Sequence, residues 1–143
     1  PMWKDLIQNI STECVYGEPA SMEDTEVLEK LFNIQIPKEL SSLLYETNGV
    51  NDGYGCSLIW SIEKIIRENL NLGDRIEDVY IPFNNLLFFA DAGNGDMFGY
   101  SALDSSINQN DIYVWNYENN RRTQIAPSLK DFVEGWISGK LSI

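Results

Sequence analysis

No histidine occurs anywhere in the 143 residues. That absence removes Ser-His-Asp triads, Cys-His dyads and imidazole metal ligands in one step. Cysteine is nearly absent too. Cys14 and Cys56 are the only two, are far apart, and form no C-x-x-C pair, so they read as buried or incidental thiols ahead of a bridge. No apolar run approaches the ~20 residues that a bilayer requires, and no signal peptide is evident. The expectation is a soluble, cytoplasmic protein with no membrane partner.

Basic residues are the sharpest shortage. Ten Lys and Arg stand against twenty-two Asp and Glu, for a net charge of −12. The deficit is local: no Lys or Arg falls between Ile76 and Asn120, whereas Glu77, Asp78, Asp91, Asp96, Asp104, Asp111 and Glu118 all do. Such a surface repels phosphate backbones, which argues against nucleic acid as a ligand, and attracts a basic partner. Those acids are the candidate partner-binding residues. The plainer alternative is that the charge only keeps the chain soluble.

What is present suffices for a core. The hydrophobic share is 43% and the aromatic share 12%, which fits one domain over residues 1–143 with no metal or disulfide staple. Trp3, Leu6, Ile7 and Ile10 follow the i, i+3, i+4, i+7 stripe of an amphipathic helix. Ser21 suits an N-cap with Glu23 and Asp24 in the first turn, and Val27, Leu28, Leu31 and Phe32 form that helix's apolar side. Pro37 opens a third helix that buries Leu40, Leu43 and Leu44 and stops at Asn48-Gly49. A Gly-rich loop over 50–55 leads to the apolar piece Ser57–Trp60. Ser61 then caps a fourth helix carrying Ile62, Ile65, Ile66 and Leu70, ended by Gly73. Residues 74–85 read as a polar connection.

The second half reads as strands. Leu86–Ala90 enters Asp91-Ala92-Gly93-Asn94-Gly95-Asp96 and leaves through Met97–Tyr100. In the segment 112–117, Tyr113, Trp115 and Tyr117 share one face while Ile112 and Val114 take the other. Asn119-Asn120 turns it back into Arg121–Ile125. Pro127-Ser128-Leu129-Lys130-Asp131 resembles a capping box, and Leu129, Phe132, Val133, Trp136 and Ile137 form a helical stripe closed by Gly139. Helices early and strands late indicate an α+β fold. The expected core is a mainly antiparallel central sheet of four to five strands, with N-terminal helices and a C-terminal helix packed on it.

The chemistry-bearing patterns fail one by one. Gly93-Asn94-Gly95 follows a strand as a dinucleotide loop does, but Phe98 holds the third glycine position and a strand pattern follows where a helix is needed. Counted from Asp91, a calcium loop would need a glycine at Asp96 and an acid at Ala102. Asp91 and Asp96 flank one turn at a separation open to glycoside chemistry, yet acids are so numerous that a close pair is expected by chance. A glycine pair supplying positive φ, with Asp91 and Asp96 accepting backbone N–H bonds, accounts for the stretch better. The reading is no enzyme, no cofactor and no metal.

Several pieces in fixed order resemble the SUKH superfamily, which includes yeast cell-wall-synthesis regulators and many bacterial immunity proteins. They are Ile36-Pro37-Lys38-Glu39-Leu40, Thr47-Asn48-Gly49, Leu87-Phe88-Phe89-Ala90 with Gly93-Asn94-Gly95-Asp96, Ile112-Tyr113-Val114-Trp115, and Ala126-Pro127-Ser128-Leu129 before Phe132 and Trp136. The resemblance spans roughly 27–139. It implies binding: an immunity protein (antitoxin) that neutralises a cognate toxin, often a basic nuclease. The alternative it leaves open is a regulatory domain that binds an endogenous protein. It carries over no catalytic residue.

Overall fold

A computed structural model describes residues 2–102 and 110–143; Asp104 lies outside the described residues. The order of elements is α1 (Met2–Ile10), β1 (Val15–Tyr16), α2 (Met22–Phe32), α3 (Lys38–Glu46), β2 (Val50–Asn51), β3 (Ser57–Ile59), α4 (Ile62–Leu72), β4 (Asp74–Ile76) and β5 (Val79–Ile81). A single 3-10 turn, Phe83–Asn85, precedes β6 (Leu86–Asp91), β7 (Met97–Ser101), β8 (Ile112–Asn116), β9 (Arg121–Ala126) and α5 (Leu129–Ser138).

The expected α+β architecture is present. β6-β7-β8-β9 form a four-stranded sheet in sequence order, antiparallel throughout. Two small antiparallel sheets flank it, β1-β2-β3 and β4-β5. Serine caps begin three helices: the Ser21, Ser61 and Ser128 hydroxyls accept from the N–H groups of Asp24, Lys64 and Asp131. Each satisfies a donor that has no partner inside its helix. Asp24 returns a bond to the Ser21 N–H at 2.9 Å, completing a capping box.

Strand alternation places Ile112 and Val114 in the core and leaves Tyr113 and Trp115 half-exposed. α5 covers the inner face, where Phe132 lies 5.6 Å from Phe89 and 4.7 Å from Phe98 between ring centroids. The outer edge of β6 is closed by other parts of the chain. The Trp60 N–H donates to the Phe89 carbonyl at 2.9 Å. Beside it the buried Asn69 of α4 clamps Phe88, donating to its carbonyl and accepting from its N–H, both at 2.9 Å. At the opposite margin, β9 pairs only with β8 among the described residues, and Arg121, Arg122, Thr123 and Gln124 are exposed.

Four sequence expectations need correction. Residues 74–85 hold the β4–β5 hairpin and the 3-10 turn, where a polar connection was expected. The strands have three residues each and β4 is exposed throughout, so no alternation signals them. The loop over 50–55 begins as strand β2, paired with both β1 and β3. Val27 does not pack: it is 51% exposed, and Thr25 takes the buried place, its Oγ1 2.8 Å from the Tyr45 hydroxyl. Pro37 stands at the N-cap, one position before the first helical turn.

Candidate protein-binding face

The β6–β7 turn is built by side chains that imitate backbone. Asp91 Oδ1 accepts from Gly93 N–H and Asn94 Oδ1 accepts from Asp96 N–H, each at 2.9 Å. Gly93 and Gly95 adopt φ of +83° and +105°, the left-handed region where glycine carries no steric penalty. Asp96, only 7% exposed, reaches across to accept from the Tyr117 N–H at 3.1 Å. That bond ties the β6–β7 turn to the β8–β9 turn, since β7 and β8 run antiparallel with Met97 opposite Trp115. The Tyr117 ring lies over Gly95, so closely that a Cβ there would sit 2.8 Å from the ring.

Asp91 also anchors the neighbouring layer. Its Oδ2 accepts from the Trp60 indole N–H at 2.7 Å and lies 3.9 Å from Lys64 Nζ. Lys64 in turn stands 5.3 Å from the centre of the Trp60 ring. These contacts fix the carboxylate and offset part of its charge.

Alongside runs an open cleft of about 660 Å³ whose lining includes Glu13, Asp52, Tyr54, Lys64, Asp91 and Trp136. Asp52 holds the β2–β3 loop in shape, its Oδ1 accepting from the N–H groups of Tyr54 and Cys56 at 2.8 and 2.9 Å. Tyr54 stands on that loop between Gly53 and Gly55 and is 90% exposed. Trp136 forms part of the wall. The sequence stripe implies a core residue, but the side chain is half-buried, 5.0 Å from Phe98 between ring centroids. Both cysteines are free and line the same cleft. Burial pushes the Cys14 thiol up; the Asp52 and Glu13 carboxylates add to the rise and a hydrogen bond with Ser11 opposes it. On the adjoining turn, the charge of Glu118 holds the Tyr117 phenol above its ordinary range.

The acids singled out in the sequence therefore separate. Asp91, Asp96 and Glu118 come together at one end of the main sheet. Asp111 sits at the start of β8, the other end. Glu77 and Asp78 form the exposed tip of the β4–β5 hairpin, where Arg75 donates to the Glu77 carbonyl at 2.9 Å and pairs with Asp78 at 3.4 Å. Asp104 is outside the described residues. Glu13, Asp52 and Tyr54 were not anticipated. A tyrosine flanked by two glycines in a loop was the one local signal for them.

Among the described residues, no group of three or more Cys, Asp or Glu side chains is placed to hold a metal ion. No helix among them is long and apolar enough to cross a membrane. A family model described as SMI1-KNR4 cell-wall matches residues 22–133, from the start of α2 into α5. A search of curated proteins finds no match to the chain.

Proposed function

The chain belongs to the SUKH family of SMI1-KNR4 domains, and from that premise we propose that it is an immunity protein, a non-enzymatic domain that binds and neutralises a basic toxin. The observation that carries the reading is the union of exposed aromatic and acidic groups at one end of the sheet. Tyr54 is 90% and Tyr117 49% exposed, beside Glu13, Asp52 and Glu118. Exposed tyrosines offer large, stiff contact area at small entropic cost, and residues of this type dominate interface energetics. Carboxylates around them steer a cationic partner into encounter and raise its association rate. A nuclease domain presents such a cationic surface because it grips a polyanion. Docking there covers the substrate path, so inhibition needs no chemistry from this chain.

Within the face the acids divide by role. Asp91 and Asp96 shape the turn through the bonds described above. Glu13 and Glu118 are exposed and supply charge. Glu77, Asp78 and Asp111 extend the negative field beyond it.

The test is the association rate with the cognate toxin, measured at two ionic strengths. Glu13→Lys and Glu118→Lys together should slow association at least about tenfold at low salt and flatten its salt dependence. The melting temperature should stay nearly unchanged, since exposed charges contribute little to stability. Wild-type association that ignores salt would refute the electrostatic mechanism. Full-speed association of the double variant would move the binding face elsewhere, first to the acidic helix α2 with Glu23, Asp24 and Glu26.

A further inference from the structure

The sequence contains two Asn-Gly pairs, Asn48-Gly49 and Asn94-Gly95, and the fold treats them in opposite ways. Asn48 is fully engaged. Its Nδ2 donates to both carboxylate oxygens of Glu63 at 3.1 and 2.9 Å, and its Oδ1 accepts from Ile62 N–H at 2.8 Å. Gly49 is buried, and its N–H donates to the Thr47 carbonyl at 2.8 Å. Asn94 and Gly95 are both exposed. The Asn94 Oδ1 bond to Asp96 N–H closes a short turn around Gly95 and leaves the Asn94 Nδ2 without a protein acceptor among the described residues. The Gly95 N–H has no backbone acceptor among the described residues.

From this contrast we infer that Asn94 is a site of spontaneous deamidation and that Asn48 is protected. The reaction needs only water. The Gly95 backbone nitrogen, having lost its proton, attacks Asn94 Cγ and forms the new C–N bond of a five-membered succinimide. The carboxamide C–N bond breaks, and nitrogen leaves as ammonia. Water then opens the ring. Attack at Cγ gives aspartate, and attack at the former backbone carbonyl gives isoaspartate. Asparagine and one water become one acid and one ammonia, with no change of oxidation state.

The labile pair is held in place by the fold itself. Gly95 combines a φ of +105° with the close overlying Tyr117 ring, and a side chain at 95 would hinder both that turn and the succinimide. Conversion to aspartate keeps the Oδ1 acceptor and makes an exposed turn one charge more negative, next to Asp91 and Glu118. Conversion to isoaspartate lengthens the backbone by one methylene just before Asp96, whose bond to Tyr117 N–H joins the two turns.

The inference stands apart from the proposed function and its test needs no partner. The folded protein is incubated at mildly alkaline pH and physiological temperature, sampled over days, digested and sequenced by tandem mass spectrometry. Each conversion adds one mass unit. Asn48 can react only after its bonds to Glu63 and to the Ile62 N–H open, so Asn94 should convert more than about tenfold faster. Asn94→Gln, which cannot close the five-membered ring readily, should abolish the signal at this position. Equal rates at both pairs, or an Asn94 that stays intact while a peptide of residues 90–98 deamidates, would overturn the inference.

Discussion

Asn69→Ala removes the clamp on the edge of the main sheet. The wild-type amide donates to the Ile65 and Phe88 carbonyls at 2.7 and 2.9 Å and accepts from the Phe88 N–H at 2.9 Å. Asn69 is 1% and Phe88 0% exposed, so water cannot replace what alanine takes away. Two backbone groups of Phe88 are left unsatisfied at about 1–3 kcal/mol each. Alanine returns up to about 0.7 kcal/mol through its better helix propensity. The net loss is then roughly 1–5 kcal/mol. For a chain of this length that lowers the melting temperature by roughly 3–20 °C, readable by circular dichroism or by tryptophan fluorescence in urea. Asn69→Asp sharpens the test. An ionised carboxylate could still accept from Phe88 N–H but would face the Phe88 carbonyl with a negative charge, so burial raises its folded pKa above the unfolded value of about 3.9. The protonated form can donate to that carbonyl. The stability deficit of Asn69→Asp should therefore be smallest at pH values below the unfolded pKa and grow as pH rises through the folded pKa. An Asn69→Ala melting temperature within about 2 °C of wild type, or an Asn69→Asp deficit independent of pH, would refute the clamp.

Two further substitutions probe the core. Tyr100 is 2% exposed and its hydroxyl has no hydrogen-bond partner among the described residues, so Tyr100→Phe should be neutral or stabilising by up to about 2 kcal/mol in urea unfolding. Burial also pushes that phenol far above its ordinary value; its neutral-state stabilisation is present below about pH 10 and lost as pH rises beyond, so Tyr100→Phe should lose less stability in alkali than wild type. Trp136→Ala should cost roughly 1.5–3 kcal/mol, below the ~3–5 typical of a fully buried aromatic, because the ring is half-exposed against Phe98 and Phe132. A loss above about 4 kcal/mol in the same assay would mean that the cleft wall is core after all.

Periodicity made the helices legible. Trp3 and Ile7, Leu40, Leu43 and Leu44, and Leu129, Phe132 and Val133 are all buried as their spacing requires. Serine caps and the Gly93–Gly95 turn were equally local and equally readable. What escaped was non-local or too short. Three-residue strands at β4 and β5 carry no period, and the turn between them uses Glu77 at φ +56° where glycine or asparagine would have announced it. Thr25 displaces Val27 because Tyr45, twenty residues away, supplies its hydroxyl partner. The cleft gathers Glu13, Asp52, Asp91 and Trp136 from four distant segments, a juxtaposition that only the tertiary fold creates. The base-free stretch signalled acidity correctly but could not show that its acids divide among separate surfaces.

Closure of one side of the main sheet has a bearing on colloidal behaviour. With Trp60 and Asn69 occupying outward backbone groups of Phe88 and Phe89 in β6, the open margin of the four-stranded sheet among the described residues is β9. There an incoming copy of the same strand meets Arg121 and Arg122 in place of an apolar row. Repulsion between guanidinium groups and the lack of exposed greasy side chains make that margin a poor template for fibril growth. Neutralising both arginines should therefore raise aggregation at high concentration even where the folded state is just as stable.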